Sequence, residues 1–381
     1  MERNIFEAEH RDYREATRLF IAREVVPSYA QWEHDGIVPR ELFMKAAELG
    51  AFAAVPEEFG GAGIKDFRYN AILTEEAARA GVAPAILGPA LQADVCMPYL
   101  LELTTEEQKA RWLPGAARGE TIVAIAMTEP GTGSDLAGIR TIAERRDDGY
   151  IVNGTKTFIT NGLNADLIIT AVRTGPDRHR GLTLIVVEAS ADGFTRGRRL
   201  EKLGMHAQDT AELTYADVTV PVENRLGEEG AGFVGLTNHL PQERLSLAVA
   251  GIAAAQAAIM STIGYVRDRR AFGRTIGDFQ ATRFKLAELV TEVEITQNYV
   301  DRCIVELNAG NLTPQDAAKA KLWATEVQGR VIDACLQLHG GYGYMLEYRI
   351  ARAYIDARAS RIYGGTSEIM KEIIGRALKL G

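Results

Sequence analysis

The pattern of hydrophobic and polar positions divides the chain into three. Residues 6–119 read as helices: 7–25 before Pro27, 41–49 before Gly50, 69–80 before Gly81, then 87–103 and 105–117. Each closes at Gly, Pro or a polar turn. Thr105 followed by Glu106, Glu107 and Gln108 predicts an N-cap with acids in the first turn. From about Thr121 the period becomes two. Ile139, Thr141 and Ala143 alternate with polar neighbours, and 150–152, 166–172, 182–188, 194–199 and 211–218 read as strands. Asp147-Asp148-Gly149 predicts one turn, and Asn153-Gly154 predicts a two-residue hairpin. Strands in series with turn residues between them predict a meander in an antiparallel sandwich or barrel. Beyond Gly232 helical stripes return: Leu286, Val290, Val293, Val300, Ile304 and Leu307, then Ala320, Ala324, Val327, Val331, Ala334 and Leu338 after Pro314. With the alanine-rich stretch 233–266 and a last amphipathic helix from Thr366, four helices suffice for a bundle. The expected architecture is multi-domain α+β, with an N-terminal all-α domain (1–120), a middle antiparallel β-sandwich or barrel (121–228) and a C-terminal four-helix bundle (229–381).

Composition narrows the class. The 381 residues are 46% hydrophobic, which excludes a disordered chain. Lys and Arg number 43 against 51 Asp and Glu, and a net charge of −8 argues against nucleic-acid or anionic-membrane partners. Cys96, Cys303 and Cys335 form no CxxC, so neither a disulfide nor a zinc scaffold is expected and the compartment reads as reducing. No run approaches a membrane span, and the acidic, helical N-terminus reads as neither signal nor transit peptide. A cytoplasmic protein is the expectation. No GxGxxG opens a helix after a strand, so a nicotinamide-type site has no support, and no metal site is expected.

Candidate chemistry concentrates in MTEPGTGSD (127–135), where Pro130 and Gly131 suit a turn and Gly131 and Gly133 let main-chain N–H groups approach a ligand. Alone, such a loop equally fits an ordinary surface turn. VPEEFGGAG (55–63) reads as a tight connection. Glu243, just after Pro241 in LPQERL, reads locally as a first-turn acid with Arg244 as a solvated neighbour. Arg269 in VRDRR reads as a solvated face, and Phe158 and Phe272 singly read as core residues.

Taken together, MTEPGTGSD, NGTKTFITNG, RRAFG (269–273) with Gln280, QLHGGYGYMLEY and IYGGTSEIM resemble the acyl-CoA dehydrogenase family over essentially the whole chain. The resemblance implies an FAD enzyme that oxidises the Cα–Cβ bond of an acyl thioester and passes electrons to an electron-transfer flavoprotein. It also implies a β domain between two helical domains and assembly as a homotetramer. Carried over residue by residue, Met127 and Thr128 would lie at the flavin ring, with Phe158 and Thr160 covering it. Gly133 and Ser134 would face the thioester ligand. Arg269, Phe272 and Gln280 would reach the FAD of a neighbouring subunit, with Gln337, Gly340 and Gly341 bordering its pyrophosphate and adenosine. Thr366 and Glu368 would touch the adenine-side half. A diphosphate needs Arg, free N–H groups and helix N-termini, and HGG before a new element would supply the last two.

One slot departs from the commonest family pattern. Most members carry a catalytic glutamate in Tyr-Glu-Gly-Thr; here Tyr363-Gly364-Gly365-Thr366 has glycine. The long-chain and isovaleryl types take the base from a preceding helix, and Glu243 stands at the matching place; LPQER, YGGT and ADVCMPY (93–99) all resemble the long-chain type. The resemblance thus implies Glu243 as base, with Gly364 supplying an N–H to the thioester carbonyl and Arg244 and Tyr363 beside the substrate. The alternatives are a catalytically silent flavoprotein on the same scaffold, or a relative that acts on nitroalkanes or activates oxygen. Chain length, branching and the thioester carrier are not fixed by any motif.

Overall fold

The computed structural model describes residues 3–147 and 149–379. Its N-terminal part contains α1 (Ala8–Phe20), α2 (Tyr29–Asp35), α3 (Glu41–Leu49), α4 (Phe67–Ala80), α5 (Ala83–Leu91), α6 (Met97–Glu102) and α7 (Glu106–Ala117). Helix α7 opens with the expected cap: Thr105 Oγ1 accepts from the Gln108 N–H, and the Gln108 side chain returns to the Thr105 N–H. The predicted helix 87–103 is α5 and α6 joined by one π turn, Gln92–Cys96. Residues 55–63 fold back tightly, with the Gly63 N–H donating to Val55 O at 2.8 Å.

The middle part contains β1 (Val123–Ala126), β2 (Ile142–Arg146), β3 (Gly149–Thr160), β4 (Leu167–Arg173), β5 (Leu182–Glu188), β6 (Phe194–Arg199), β7 (Thr210–Pro221) and β8 (Arg225–Leu226). The order β6-β7-β3-β2-β4-β5-β8 is not a meander, because β7 returns to pair with β3. Pairing is antiparallel except that β1 lies parallel on β4 and β2 touches β4 in parallel at one residue pair. Of the expected turn at 147–149, Asp148 lies outside the described residues, and Arg146 pairs with Gly149. Asn153-Gly154 is not a hairpin. The strand runs through it with a register shift between Val152 and Gly154, and a Cβ on Gly154 would meet Thr141 Oγ1 at 2.5 Å. That glycine serves a bulge and a close backbone approach, the competing reading of Gly in a strand.

The C-terminal part contains α8 (Gly232–Asp268), the hairpin β9–β10 (Arg270–Ala271, Arg274–Thr275), α9 (Gln280–Asn308), α10 (Pro314–His339), α11 (Arg349–Ala357) and α12 (Ser367–Ala377). One core joins the sheet to the N-terminal helices, with Phe43, Ile86 and Leu113 against Ile168, Val186 and Leu213. A second core fills the bundle around Leu245, Ile252, Val293, Ile304, Val327 and Val331, and takes Phe67 and Ala71 from α4. Each such fully buried aliphatic side chain contributes about 1.5–3 kcal/mol. The expectation that no run is apolar enough to span a membrane needs correction: by length and composition, α8 is. The reason for its apolarity lies in packing, since α8 contacts α4, α9 and α10 along the bundle.

Candidate active site

Glu243 lies about three turns into α8, so it is not a first-turn acid; Pro241 sits within the helix without ending it. The carboxylate is 7% exposed, and its hydrogen-bond donor is the Tyr99 hydroxyl at 2.9 Å from Oε1. Burial pushes the Glu243 carboxyl above its ordinary range, opposed by the Tyr99 hydrogen bond and by His239 and Arg244. One turn earlier, His239 stacks on the Tyr99 ring with centroids 4.1 Å apart. Its Nδ1 donates to Gly235 O, and its Nε2 lies 3.2 Å from Glu102 Oε2.

Arg244 is not the solvated neighbour expected: it is 6% exposed, and its Nε has no partner among the described residues. Behind it Lys321 of α10 is fully buried and donates to Gly365 O. Burial, with Arg244 adding in the same sense, pushes the Lys321 ammonium down to about 8. Gly364 adopts φ +63°, and its N–H has no hydrogen-bond acceptor among the described residues. A Cβ there would lie 2.3 Å from Leu247 Cδ1, one turn past Glu243. The space that glycine leaves beside α8 is therefore filled by a leucine methyl rather than standing open. Tyr363, its neighbour in the chain, borders a cavity of about 120 Å³ whose lining includes Ala250, Ala254, Ala257 and Ala258 of α8 and also Arg349, Arg352 and Asp356 of α11.

The β face is assembled locally. Pro130-Gly131 forms the turn, closed by the Glu129 N–H donating to Thr132 O at 2.9 Å. Gly133 and Ser134 are exposed beyond it, Met127 and Thr128 half-buried before it. The Thr157 N–H donates to Thr128 O at 2.9 Å, which brings the TFIT segment beside the loop. There β3 bulges between Lys156 and Ile159, forcing Phe158 to φ +60° and leaving its ring 68% exposed. An exposed phenylalanine in the left-handed region is strained, and it is not the core residue that local reading suggests. Thr160 is half-buried at the strand's end. Sequence reasoning missed what anchors this loop: fully buried Lys156 donates to Met127 O at 3.0 Å and Glu129 Oε1 at 2.9 Å. Glu129 also accepts from the Arg140 and Thr141 N–H groups. Burial works against the Glu129 charge, but Lys156 and these bonds prevail and hold its carboxyl below the ordinary range.

A third group, Arg269, Phe272, Gln280, Gln337, Gly340 and Gly341, lies toward the C-terminal end of α10, whereas Thr366 and Glu368 lie by its N-terminal half, where Lys321 meets Gly365 O and Ser367 meets Glu326. Arg269 caps α8 and lies 5.2 Å over the Tyr342 ring; it has no carboxylate partner among the described residues. Phe272 tips the β9–β10 hairpin at φ +51° and is 94% exposed, again no core residue. Gln280 opens α9, and Gln337 lies in the last turn of α10, both exposed. The anion argument for HGG is weaker than expected, because the Gly340 N–H donates to Gln337 O and the next element is a five-residue 3-10 turn. Gly340 and Gly341 nevertheless border open space. Thr366 caps α12 by accepting from the Ile369 N–H, with Glu368 exposed in its first turn. Among the described residues, no hydrogen bond, salt bridge or aromatic contact joins the Arg269 group to the Met127–Phe158 group.

Family models describing the N-terminal, middle and C-terminal domains of acyl-CoA dehydrogenase match residues 7–120, 124–218 and 230–379. The chain belongs to the acyl-CoA dehydrogenase family of enzymes. It is 44% identical over 380 residues to the long-chain specific acyl-CoA dehydrogenase of Rattus norvegicus, covering 99% of this chain and 88% of that protein. The crystal structure of acyl-CoA dehydrogenase from Geobacillus kaustophilus superposes with a TM-score of 0.97 at 48% identity, over 100% of both chains. A glutaryl-CoA dehydrogenase from Mycobacterium smegmatis, in complex with FADH2, matches with a TM-score of 0.91 at 27% identity, over 98% of this chain and 95% of that one.

Proposed function

We propose that the chain oxidises an acyl-CoA thioester to the trans-2-enoyl-CoA, with Glu243 as the base. The observation that carries this is a buried carboxylate on α8, one turn before the Leu247 that packs on Gly364, a residue that carries no acid and whose N–H has no acceptor among the described residues. The α-proton of a saturated thioester is a very weak acid. Its removal needs the carbonyl hydrogen-bonded and a carboxylate placed beside Cα. Gly364 N–H serves the carbonyl, Lys321 holds the turn through Gly365 O, and Arg244 adds a positive charge near Glu243. The acyl tail would lie against Ala250, Ala254, Ala257 and Ala258 in the cavity beyond Tyr363, away from Arg349, Arg352 and Asp356 on the same lining.

The residues fit FAD. Phe158 and Phe272 are held out as exposed rings in strained backbone, Arg269 has no carboxylate partner among the described residues, and Gly131, Gly340 and Gly341 border open space. Met127, Thr128, Phe158 and Thr160 would hold the ring, and Arg269, Phe272, Gln280, Gln337, Gly340, Gly341, Thr366 and Glu368 the remainder. Bound FAD would supply the hydride acceptor at Cβ and pass electrons to an electron-transfer flavoprotein. Gly133 and Ser134 would border the thioester from the loop. We place Arg269, Phe272, Gln280, Gln337, Gly340 and Gly341 on a neighbouring subunit's FAD, within a homotetramer, with Thr366 and Glu368 at the adenine-side half. Exposed Phe284, Ile295 and Trp323 on α9 and α10 offer apolar surface for a second copy. Three free, buried cysteines suit a reducing compartment, and we place the protein in the cytoplasm.

The test is a holoenzyme purified yellow with one FAD per chain that bleaches anaerobically with straight-chain or branched acyl-CoA. A colourless protein that cannot be reconstituted refutes it. A silent scaffold is disfavoured because a buried carboxylate costs stability and such a scaffold gains nothing from it.

A further inference from the structure

Tyr99 has no part in the chemistry above, yet among the described residues it is the sole hydrogen-bond donor to Glu243. Its own surroundings fix it. The ring is fully buried and stacked on His239, and the hydroxyl stays protonated because burial, then the Glu243 charge, pushes it well above its ordinary range. The segment bearing Tyr99 is clamped to α8 on both sides of Glu243. Gln242 Nε2 donates to Asp94 O at 2.7 Å, and Ser246 Oγ donates to Asp94 Oδ2, whose partner oxygen accepts from Asn70 at 2.7 Å. Asp94 sits in the π turn Gln92–Cys96, a local widening of the helix of the kind that recurs at functional sites. The titratable and charged groups around Glu243 are Tyr99 and Cys96 from this segment, His239 and Arg244 from α8, with Glu102 beyond His239 and Lys321 of α10 beyond Arg244.

We propose that Tyr99 is the positioning residue for Glu243, fixing the orientation of the carboxylate through Oε1 and favouring its ionised form. This rests on the reading of Glu243 as the base. A hydrogen bond donated to a carboxylate favours the charged state, which desolvation disfavours. A base must be ionised when it takes the proton. Tyr99 counters the burial that an apolar acyl site imposes.

Tyr99→Phe keeps the ring on His239 and removes only the O–H. The Glu243 carboxyl stretch is isolated in infrared difference spectra of the substrate-free holoenzyme against its Glu243→Gln counterpart, in wild-type and Tyr99→Phe backgrounds, and followed against pH. The protonation midpoint should rise in Tyr99→Phe by about one pH unit or more, a tenfold or greater gain in proton affinity. The rising limb of the pH profile for flavin reduction should move by the same amount with KM unchanged. Replacing Tyr99 with 3,5-difluorotyrosine strengthens the donor without altering the packing, and should move the midpoint the opposite way. An unmoved infrared midpoint in both variants overturns the proposal. A moved midpoint with an unmoved kinetic limb leaves Tyr99's role standing and removes Glu243 as the base.

Discussion

Around Met127, Thr128 and Phe158 the site is made of backbone and one buried ion pair, whereas around Glu243 it is made of buried side chains far apart in sequence. The first region presents a strained, exposed ring on a rigid bulge. The second encloses a carboxylate and tunes it. A group that must be covered by a flat cofactor needs a fixed surface, and a group that must take up a proton needs a controlled dielectric. The two regions accordingly differ in what a substitution should do.

The largest effect is expected where the β face is anchored. Lys156→Met leaves Glu129 buried without its cation, and breaking a buried pair in this way costs about 3–5 kcal/mol. Chemical denaturation should show that loss together with poor FAD retention; a stable, fully loaded variant would mean the anchor is dispensable. Arg269→Gln should weaken FAD binding about tenfold or more by removing a charged hydrogen-bond donor, while leaving the melting temperature near wild type because Arg269 has no carboxylate partner among the described residues. Equilibrium titration of apoprotein with FAD reads this directly, and unchanged affinity would take Arg269 out of the cofactor site.

Smaller effects sharpen the contrast. Phe158→Gly relieves a left-handed conformation and should stabilise the apoprotein by about 1 kcal/mol while loosening FAD. A destabilised variant would show that the ring is held by packing instead. Glu243→Gln should also raise apoprotein stability at neutral pH. The folded-state pKa of Glu243 is raised, so its protonated form folds well below the ordinary carboxylate range and stability is lost as pH rises through the folded value. The gap in melting temperature between wild type and variant should therefore close on acidification. A gap independent of pH would contradict a buried, hard-to-ionise carboxylate.

The legibility of these regions in sequence follows the same division. The turn at Pro130-Gly131, the helical stripes of α9 and α10 and the Thr105 cap rest on neighbours within a few residues, and the sequence carries them openly. Asn153-Gly154 misled because the bulge that uses Gly154 is set by Thr141 across the sheet. Tyr99 reaches Glu243 across 144 residues and Lys156 reaches Glu129 across 27, and no local spacing announces either pair. The long apolar run in α8 shows the same limit, since only its packing between helices distinguishes it from a membrane span.

The central claim is that Glu243 abstracts the α-proton, and it is tested most directly by stopped-flow anaerobic flavin reduction with saturating acyl-CoA in wild type and Glu243→Gln. The amide keeps the shape and the Tyr99 contact site but removes basicity. The variant should retain FAD and bind acyl-CoA normally, yet reduce its flavin at least about a thousandfold more slowly, the scale of a lost positioned base. Reduction at a rate near wild type would contradict the account and exclude Glu243.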